Sequence, residues 1–354
     1  MMTYLVTGGA GFVGSNLAIR LKRNYAGVRV IAVDNLRRRG SELNVPRLKE
    51  HGVEFTHGDV RCLEDLNWSE KIDLILECSA EPSVLAGYGG SPEYVINTNL
   101  VGLLNCLEVG RRNGSGIIFI STSRVYPFRA IDSLEFVESS TRYELVDQQG
   151  VRGVSSAGIT EEFPLNGNRS LYGATKLAGE LMLQEYLEMY GLRGIINRCG
   201  VLTGAWQMGK VEQGFVTLWA AQHVFGGSLS YIGYGGKGKQ VRDVLHIEDF
   251  FHLIDLEIQN LDKLNGEIFN VGGGRSISVS LQELTTLCKE ASGNCIPIKQ
   301  IPENRPADLR IYLTDNRKVQ NKTGWAPSIS PAEIVAEIVS WICDHQDQLR
   351  PLLL

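Results

Sequence analysis

The chain has 354 residues, of which 43% are hydrophobic and 21% are charged, and its formal net charge is −5 at pH 7. This length can bury the core of one large domain or of two lobes, and the composition is ordinary for a globular protein. The acidic balance provides no basic surface for nucleic acid, and no run approaches the roughly 18 apolar residues that would span a membrane. Met1-Met2 leads straight into a predicted strand, so we expect no signal peptide. We expect the seven scattered cysteines to be reduced thiols in a cytoplasmic protein without a metal site.

A glycine-rich turn follows the first apolar run, Thr3–Thr7. Gly8, Gly11 and Gly14 stand between this predicted strand and a helix that opens near Ser15. Glycines at this spacing allow a tight turn, close approach of a pyrophosphate and close packing of the helix on the strand. The N–H groups and the dipole at the start of the helix then favour an anion. The segment therefore predicts a dinucleotide-binding loop.

A second predicted strand, 30–34, ends in Asp34. An acid about 20 residues after such a glycine loop hydrogen-bonds the adenosine ribose and repels a 2′-phosphate, which favours NAD over NADP. Arg37, Arg38 and Arg39 follow directly. This basic run is either a solvated loop or a clamp for a 2′-phosphate. The position of Asp34 nearer the ribose favours NAD.

Tyr172 and Lys176 are four residues apart in a predicted helix, and they follow a predicted strand that ends in Ser121-Thr122-Ser123. Residues i and i+4 share one face of a helix. A nearby ammonium lowers the pKa of a tyrosine from about 10, so that the phenolate can act as a general base near neutral pH. An isolated Tyr and Lys at this spacing are often only a solvated surface pair. The glycine loop and Asp34 favour the catalytic interpretation.

Apolar runs alternate with helical stretches through residues 1–200, which predicts an α/β fold with a doubly wound parallel sheet of the Rossmann type. We predict strands over 53–58, 74–78, 117–121, 193–198 and 267–272 and helices over 94–112, 171–190, 281–291 and 331–345. The predicted nucleotide-binding domain is 1–199 with return segments near 240–273. The predicted smaller α/β lobe, which binds substrate, is 200–239 and 274–354. The segment 127–169 shows no clean periodicity, and so long a connection predicts a wall or lid over the active site.

These motifs resemble those of the extended short-chain dehydrogenase/reductases, and in particular of the NAD-dependent sugar-nucleotide epimerases and dehydratases. The resemblance covers essentially the whole chain. The stretches 121–126, 141–147 and 238–246 are similar to segments of the family's C2 epimerases. The resemblance implies a nucleotide-sugar substrate, which bound NAD oxidises transiently to a keto sugar and then reduces again. It also implies a homodimer or homotetramer in which the helices 94–112 and 171–190 pair across a two-fold axis.

The resemblance further implies roles for individual residues. The catalytic residues would be Thr122, Tyr172 and Lys176. The cofactor-binding residues would be Gly8, Gly11, Phe12, Val13, Gly14, Asp34, Asn35, Asp59, Val60, Ala80 and Lys176. The substrate-binding residues would be Ser123, Arg124, Tyr143, Asn197, Arg242 and Arg310, with the last two arginines on the pyrophosphate. For Arg242 the alternative is a salt bridge to Asp243 or Glu248.

The chain departs from the family's patterns at several positions. Dehydratases of the family place an Asp and a Glu where this chain has Ser123 and Arg124, and neither of these can act as a carboxylic acid. Most relatives have a His near the end of the fourth strand, whereas this chain has Glu77, and Glu81 stands where Gln is common. Glu81 either contacts sugar hydroxyls or is solvated.

Three functions therefore stay open beside a C2 epimerase. A UDP-hexose 4-epimerase and a one-way reductase would use the same fold and the same tyrosine and lysine. A cofactor-binding sensor without catalysis is the third alternative. The intact set of Thr122, Tyr172 and Lys176 argues against the sensor.

Overall fold

The computed structural model describes residues 1–210 and 213–354, and the chain divides into two compact units. Unit 1 comprises Met1–Val125, Ser170–Arg198 and Phe251–Phe269, and unit 2 comprises Tyr126–Arg169, Cys199–Phe250 and Asn270–Leu354. The strands are β1 (Thr3–Thr7), β2 (Arg29–Asp34), β3 (Glu54–His57), β4 (Leu74–Glu77), β5 (Gly116–Thr122), β6 (Phe136–Glu138), β7 (Tyr143–Leu145), β8 (Val154–Ser155), β9 (Gly158–Ile159), β10 (Arg193–Cys199), β11 (Val201–Thr203), β12 (Leu229–Ile232), β13 (Val241–His246), β14 (Ile268–Val271), β15 (Ser278–Ser280), β16 (Ile298–Ile301) and β17 (Ile311–Tyr312). The helices are α1 (Phe12–Asn24), α2 (Asn44–Glu50), α3 (Glu93–Ile96), α4 (Gly102–Asn113), α5 (Phe128–Asp132), α6 (Leu171–Tyr190), α7 (Phe215–Phe225), α8 (Ile247–Gln259), α9 (Leu281–Ser292), α10 (Arg317–Thr323), α11 (Pro331–Asp344) and α12 (Gln346–Leu353).

The largest sheet of the described residues has seven strands in the order β14-β10-β5-β4-β1-β2-β3. The pairs β1–β2, β1–β4, β2–β3 and β4–β5 are parallel. Every residue of β1 and of β5 is buried, as expected for apolar strands covered on both faces. The predicted doubly wound parallel sheet is confirmed. Its strand order reverses between β1 and β4, and folds of this kind bind ligands at the carboxyl ends of the strands at that point.

The core of unit 1 lies between this sheet and its helices. Its buried side chains include Leu5, Ile31, Ile75, Ile117 and Phe119. Burying one such side chain contributes about 1.5–3 kcal/mol. The core therefore fixes the strand ends that carry the candidate site.

The helix predicted over 94–112 is present, but a π-helical turn at Asn97–Val101 interrupts it between α3 and α4. A π-turn inserts an extra residue and often occurs at functional sites. The helix predicted over 171–190 is continuous as α6. The helices predicted over 281–291 and 331–345 correspond to α9 and α11.

Unit 2 contains a small sheet in which β13 pairs with β11 and β17 in parallel and with β15 in antiparallel orientation. This pairing places the segment around β13 in unit 2, whereas the sequence assigned 240–273 to the nucleotide-binding domain. Val211 and Glu212, within the predicted 200–239 segment of the lobe, lie outside the described residues.

The 127–169 segment also belongs to unit 2 rather than to the nucleotide-binding domain. It is not structureless, because it holds α5 and the hairpins β6–β7 and β8–β9. The backbone N–H of Tyr143 donates to the Lys239 carbonyl (3.0 Å), and that of Ile159 donates to the Leu313 carbonyl (2.8 Å). These hydrogen bonds to distant parts of the chain fix a segment whose own sequence has no regular period.

Candidate active site

The glycine loop of unit 1 is too tightly closed for larger residues. A Cβ at Gly14 would lie 2.2 Å from the carbonyl oxygen of Gly8. The backbone of Gly8 has a φ of 59°, in the left-handed region that favours glycine. Helix α1 begins at Phe12, its N-cap Gly11 offers no side-chain cap, and its first turn holds no acid. The N–H groups of this turn, including that of Val13, have no partner within the helix. The loop therefore fits an anion such as a pyrophosphate.

Asp34 ends β2 beside the glycine loop. Its Oδ2 accepts from the backbone N–H of Ala10 (3.1 Å) and its Oδ1 from that of Leu36 (2.8 Å). Burial raises the pKa of the Asp34 carboxyl, while hydrogen bonds from these N–H groups lower it. A carboxylate fixed at this strand end fits the hydroxyls of an adenosine ribose.

Asn35 and Asp59 are linked at the ends of the neighbouring strands. The Asn35 Nδ2 donates to the Asp59 Oδ2 (2.9 Å), and Arg61 forms an ion pair with Asp59 (2.6 Å). The Arg61 guanidinium holds the pKa of the Asp59 carboxyl well below its usual range. Val60 is buried, and its carbonyl accepts from Asn105 (2.8 Å). The carboxylate of Asp59 is thus neutralised by an arginine that the sequence reasoning did not single out.

The basic run after Asp34 is held by partners in unit 1. The guanidinium carbon of Arg37 lies 3.8 Å from the centre of the Tyr94 ring, and that of Arg61 lies 4.9 Å from it. Arg38 is partly buried, and burial lowers its pKa while the charge of Glu81 raises it. Cation–π contacts and a carboxylate therefore order part of this run, so it is not simply a solvated loop.

Helix α6 presents Tyr172 and Lys176 one turn apart. The helix begins at an N-cap, Ser170, whose hydroxyl accepts from the Gly173 N–H (3.3 Å). At Gly179 a Cβ would lie 2.5 Å from a methyl carbon of Leu103, so the glycine lets α6 approach its neighbour closely. Tyr172 is partly exposed, whereas the Lys176 side chain is only 2% exposed.

The ammonium of Lys176 lies among oxygen atoms at the ends of β4 and β5. Its Nζ donates to the carbonyls of Ile120 (3.0 Å) and Ser79 (3.5 Å) and lies 4.6 Å from the centre of the Phe119 ring. It also forms an ion pair with the buried carboxylate of Glu77, at 3.5 Å from Oε2. The sequence identified Glu77 as unusual but did not predict this pair.

Thr122 ends β5, and its Oγ1 accepts from the Arg124 backbone N–H (3.2 Å). Thr122 and Ser123 are buried, whereas the Arg124 side chain is partly exposed. Ala80 is partly exposed and follows the end of the adjacent strand β4. The structure therefore places the predicted hydroxyls in the same unit as α6, at the carboxyl edge of the sheet.

Asn99 was missed by the sequence reasoning. It lies in the π-helical turn, where its Nδ2 donates to the Glu81 carbonyl (3.1 Å) and to the Thr175 hydroxyl (3.2 Å). Its Oδ1 accepts from the Glu81 N–H (2.7 Å). Asn99 thus ties the loop after β4 to the helix of Tyr172. An asparagine within a predicted helix does not indicate from the sequence that its side chain links a loop to another helix.

Arg310 in unit 2 is enclosed by three aromatic rings. Its guanidinium carbon lies 4.3 Å from the ring centre of Phe136, 5.0 Å from that of Tyr234 and 5.8 Å from that of Tyr143. Its Nη1 donates to the Asp132 carbonyl (3.3 Å). Tyr143 is only 5% exposed and packs edge-on against Phe136. The 127–169 segment therefore supplies packing that fixes Arg310.

Arg242 lies in the same unit and pairs with Asp308. Its Nη2 is 3.1 Å from one Asp308 oxygen, and the Arg305 Nη2 is 3.4 Å from the other. The predicted alternative partners of Arg242 are therefore wrong: the observed carboxylate is neither Asp243, which is fully buried, nor Glu248. Two guanidinium groups share one carboxylate, and the net positive charge suits a pyrophosphate.

Asn197 does not lie at an accessible surface, in contrast to its predicted role in binding substrate. Its side chain is 0% exposed, and its Nδ2 donates to the Glu257 Oε2 (2.8 Å) inside unit 1. The alternation of β10 directs this residue into the core against α8. Asn197 therefore leaves the candidate set.

Within the described ranges, 1–210 and 213–354, no group of His, Cys, Asp and Glu could hold a metal ion. Across the same part of the chain, no helix has the length and apolar character needed to cross a membrane. All seven cysteines are free thiols in the structure.

The chain is similar to known proteins along most of its length. Residues 4–272 match the model of the NAD dependent epimerase/dehydratase family. The chain is 32% identical to the CDP-paratose 2-epimerase of Salmonella typhi, over 96% of this chain and 99% of that protein. It is 26% identical to the dTDP-glucose 4,6-dehydratase of Streptomyces niveus, over 99% of this chain and 96% of that protein.

A solved structure is similar along the whole chain. The UDP-glucose 4-epimerase of Thermus thermophilus, determined as a complex with NAD, is 27% identical and superimposes with a TM-score of 0.74. The match covers 97% of this chain and 99% of that one.

Proposed function

Because the chain belongs to the NAD-dependent epimerase/dehydratase family, we propose that it is a nucleotide-sugar epimerase that inverts C2 of a CDP-linked 3,6-dideoxyhexose. The observation that carries the proposed substrate is the 32% identity to a CDP-paratose 2-epimerase along 96% of the chain. The enzyme is NAD-dependent, as its family is.

The residues of unit 1 fit NAD. The first turn of α1, which begins at Phe12, would bind the pyrophosphate, and Asp34 would bind the adenosine ribose. Lys176 would bind the ribose of the nicotinamide. When bound, NAD supplies a hydride acceptor and, once reduced, a hydride donor.

The side chains of the chain itself move the proton. Tyr172, as phenolate, removes the proton from the hydroxyl on C2 and returns it when the carbon is reduced again. The Lys176 ammonium favours the phenolate, because an opposite charge nearby stabilises the ionised form. Thr122 donates a hydrogen bond to the substrate oxygen on which charge develops. Because both the proton and the hydride that leave the sugar would be returned to it, the reaction would be redox-neutral overall.

Ser123 and Arg124 favour an epimerase over a dehydratase. The relatives of this chain also include a 4,6-dehydratase, which is 26% identical to it. Elimination of water needs a carboxylic acid that protonates the leaving hydroxyl, and the family resemblance implies that dehydratases carry their acids at these two positions. A serine hydroxyl and a guanidinium cannot replace them.

Arg242 and Arg310 of unit 2 would bind the substrate pyrophosphate, because their planar guanidinium groups match phosphate oxygens. We further propose that the protein is a cytoplasmic homodimer or homotetramer. The exposed apolar side chains of α6, with Leu181 58% and Met189 67% exposed, support pairing through this helix.

The proposal is tested by incubating the purified protein, without added cofactor, with CDP-linked 3,6-dideoxyhexoses and with UDP- and dTDP-hexoses. We expect NMR to show an isomer that differs at C2 for the CDP-linked sugars. Inversion at C4 of a UDP-hexose would identify a 4-epimerase instead. In a parallel incubation with added NADH, its steady consumption would identify a reductase, and NAD binding without turnover of any sugar would contradict catalysis.

A further inference from the structure

Glu77 is a buried carboxylate at the point where the strand order of the large sheet reverses. It is the last residue of β4, and its side chain is 1% exposed. Its Oε1 accepts from the Ser79 N–H (3.1 Å), from the Ser79 hydroxyl and from the Thr7 hydroxyl (3.4 Å). Its Oε2 lies 3.5 Å from Lys176 Nζ. The side chain is therefore fixed by hydrogen bonds on one oxygen and faces the ammonium with the other.

A buried ammonium needs such a partner. Removing a lysine from water favours its neutral form, and carbonyl oxygens offset this effect only in part. The two carbonyls that Lys176 contacts, those of Ile120 and Ser79, carry partial charges only. Glu77 supplies a full negative charge at the same place.

We propose that Glu77 is a positioning residue that keeps Lys176 charged and directed at the carboxyl ends of β4 and β5. Through Lys176 it sustains the ionised form of Tyr172. The inference rests on the proposed function in taking Tyr172 as the base. It adds a positioning residue to the set of Thr122, Tyr172 and Lys176.

Other groups on the elements around α6 do not provide this charge. Glu180 lies one turn after Lys176, but its carboxylate is paired with Arg198 at 2.7 Å and accepts from the Ser121 hydroxyl. Glu108 of α4 pairs with Arg111. Further charged or titratable groups on the neighbouring elements include Glu93, Arg112, Arg124, Cys78 and Cys106.

The two thiols respond to the same pair. Burial raises the pKa of Cys78 and of Cys106, the negative charge of Glu77 raises it further, and the positive charge of Lys176 lowers it. Both thiols are therefore neutral near pH 7. They cannot balance the positive charge of Lys176, whereas Glu77 can.

The direct test is the titration of Lys176 in the NAD-bound protein. Lysine labelled at Cε is incorporated, and the NMR signal of Lys176 is assigned by its loss in Lys176→Met. We expect Glu77→Gln to lower the titration midpoint of Lys176 by about one pH unit or more, since one unit is a typical effect of a close charge. The matched control is Glu257→Gln, which removes another fully buried carboxyl of unit 1 and should leave this midpoint unchanged. An unchanged midpoint in Glu77→Gln would overturn the proposal.

The pH dependence of turnover gives a second readout with a definite sign. If Lys176 loses charge in Glu77→Gln, the phenolate is less stable, so the acidic limb of kcat moves to higher pH while KM changes little. If Glu77 merely opposed the ionisation of Tyr172, the limb would move to lower pH, and this outcome would refute the proposal. The NMR titration needs no substrate, so its result stands even if the proposed substrate is wrong.

A variant that folds but is too unstable for the titration still tests the pair. In that case thermal unfolding of Glu77→Gln/Lys176→Met is compared with that of Glu77→Gln alone. A higher unfolding temperature for the double variant is expected, because it leaves no unpaired buried ammonium. Equal instability of the two proteins would show that Glu77 and Lys176 are not coupled.

Discussion

The guanidinium of Arg310 stacks on the ring of Phe136, with 4.3 Å between the guanidinium carbon and the ring centre. The two residues are far apart in sequence and meet because the β6–β7 hairpin folds within unit 2. Stacking restrains the planar group without using its N–H donors. One of these donors, on Nη1, is hydrogen-bonded to the Asp132 carbonyl. A lysine at this position would keep the charge and lose the stacking.

We therefore expect Arg310→Lys to raise KM for the nucleotide sugar by about tenfold, which corresponds to the roughly 1–2 kcal/mol of a desolvated cation–π contact. NAD affinity should not change. Steady-state kinetics and calorimetry with the free nucleotide measure the two effects. Arg275→Lys is the matched control, because Arg275 lies in unit 2 and pairs on the surface with Glu144. Equal KM values for wild type and Arg310→Lys would show that the enclosure does not serve substrate binding.

Tyr172→Phe should lower turnover by about 10²–10⁴-fold, the usual contribution of a positioned acid/base. The variant should retain NAD and its unfolding temperature, because the hydroxyl lies on a partly exposed side chain. Tyr190→Phe, which removes the hydroxyl of an exposed tyrosine on the same helix, is the control. Near wild-type activity of Tyr172→Phe would remove the base from the mechanism.

Asp34→Ser should weaken NAD binding and relax discrimination against NADP, because the carboxylate both binds the ribose and repels a 2′-phosphate. Binding of both cofactors is measured by calorimetry. Asp262→Ser, at a side chain that is 79% exposed, should change neither affinity. Tighter binding of NADP than of NAD by the wild type would contradict the assignment of Asp34 and favour the phosphate clamp by Arg37–Arg39.

The sequence predicted those parts of the site that depend on local pattern. Gly8, Gly14 and Asp34 follow from the turn and strand that carry them, and Tyr172 and Lys176 follow from helical spacing. Their placement in unit 1 agrees with these rules. Catalytic and binding roles for these residues stay predictions.

Contacts between side chains that are distant in sequence could not be predicted. Asn99 contacts Glu81, in the loop after β4, from a π-turn that interrupts the helix. No residue type in the sequence predicts that interruption. The Glu77–Lys176 pair depends on the packing of α6 against the sheet. For Asn197 the family resemblance implied a role in substrate binding, whereas the pleat of β10 turns it toward Glu257.

The expected dimer provides a further prediction. Leu181, Met189 and Tyr190 are all exposed on α6, and exposed apolar patches mark interfaces when their side chains are contiguous. We expect light scattering to show at least a dimer at micromolar concentration, and Leu181→Glu to shift it toward monomer. Val137→Glu, at an exposed valine of unit 2, is the control and should leave the mass unchanged. A monomeric wild type would exclude pairing through α6.

Glu257 should make the stability of the protein depend on pH. Its side chain is fully buried and accepts one hydrogen bond from Asn197. Burial raises its pKa from 4.5 to about 8, while the Asn197 hydrogen bond lowers it. The folded state therefore holds the proton more tightly than the unfolded state. The stabilisation is complete below pH 4.5 and is lost as the pH rises toward 8, because the unfolded chain ionises first.

Glu257→Gln removes this dependence, since glutamine resembles the protonated carboxyl and can still accept from Asn197. Near pH 4.5 the variant and the wild type should have similar free energies of unfolding. By pH 7 the wild type should have lost on the order of 3 kcal/mol relative to the variant, at about 1.4 kcal/mol for each pH unit. Denaturant unfolding of both proteins at several pH values measures the difference, in which the contributions of all other groups cancel. A difference that does not change between pH 4.5 and 8 would mean that Glu257 ionises in the folded protein as it does in the unfolded chain.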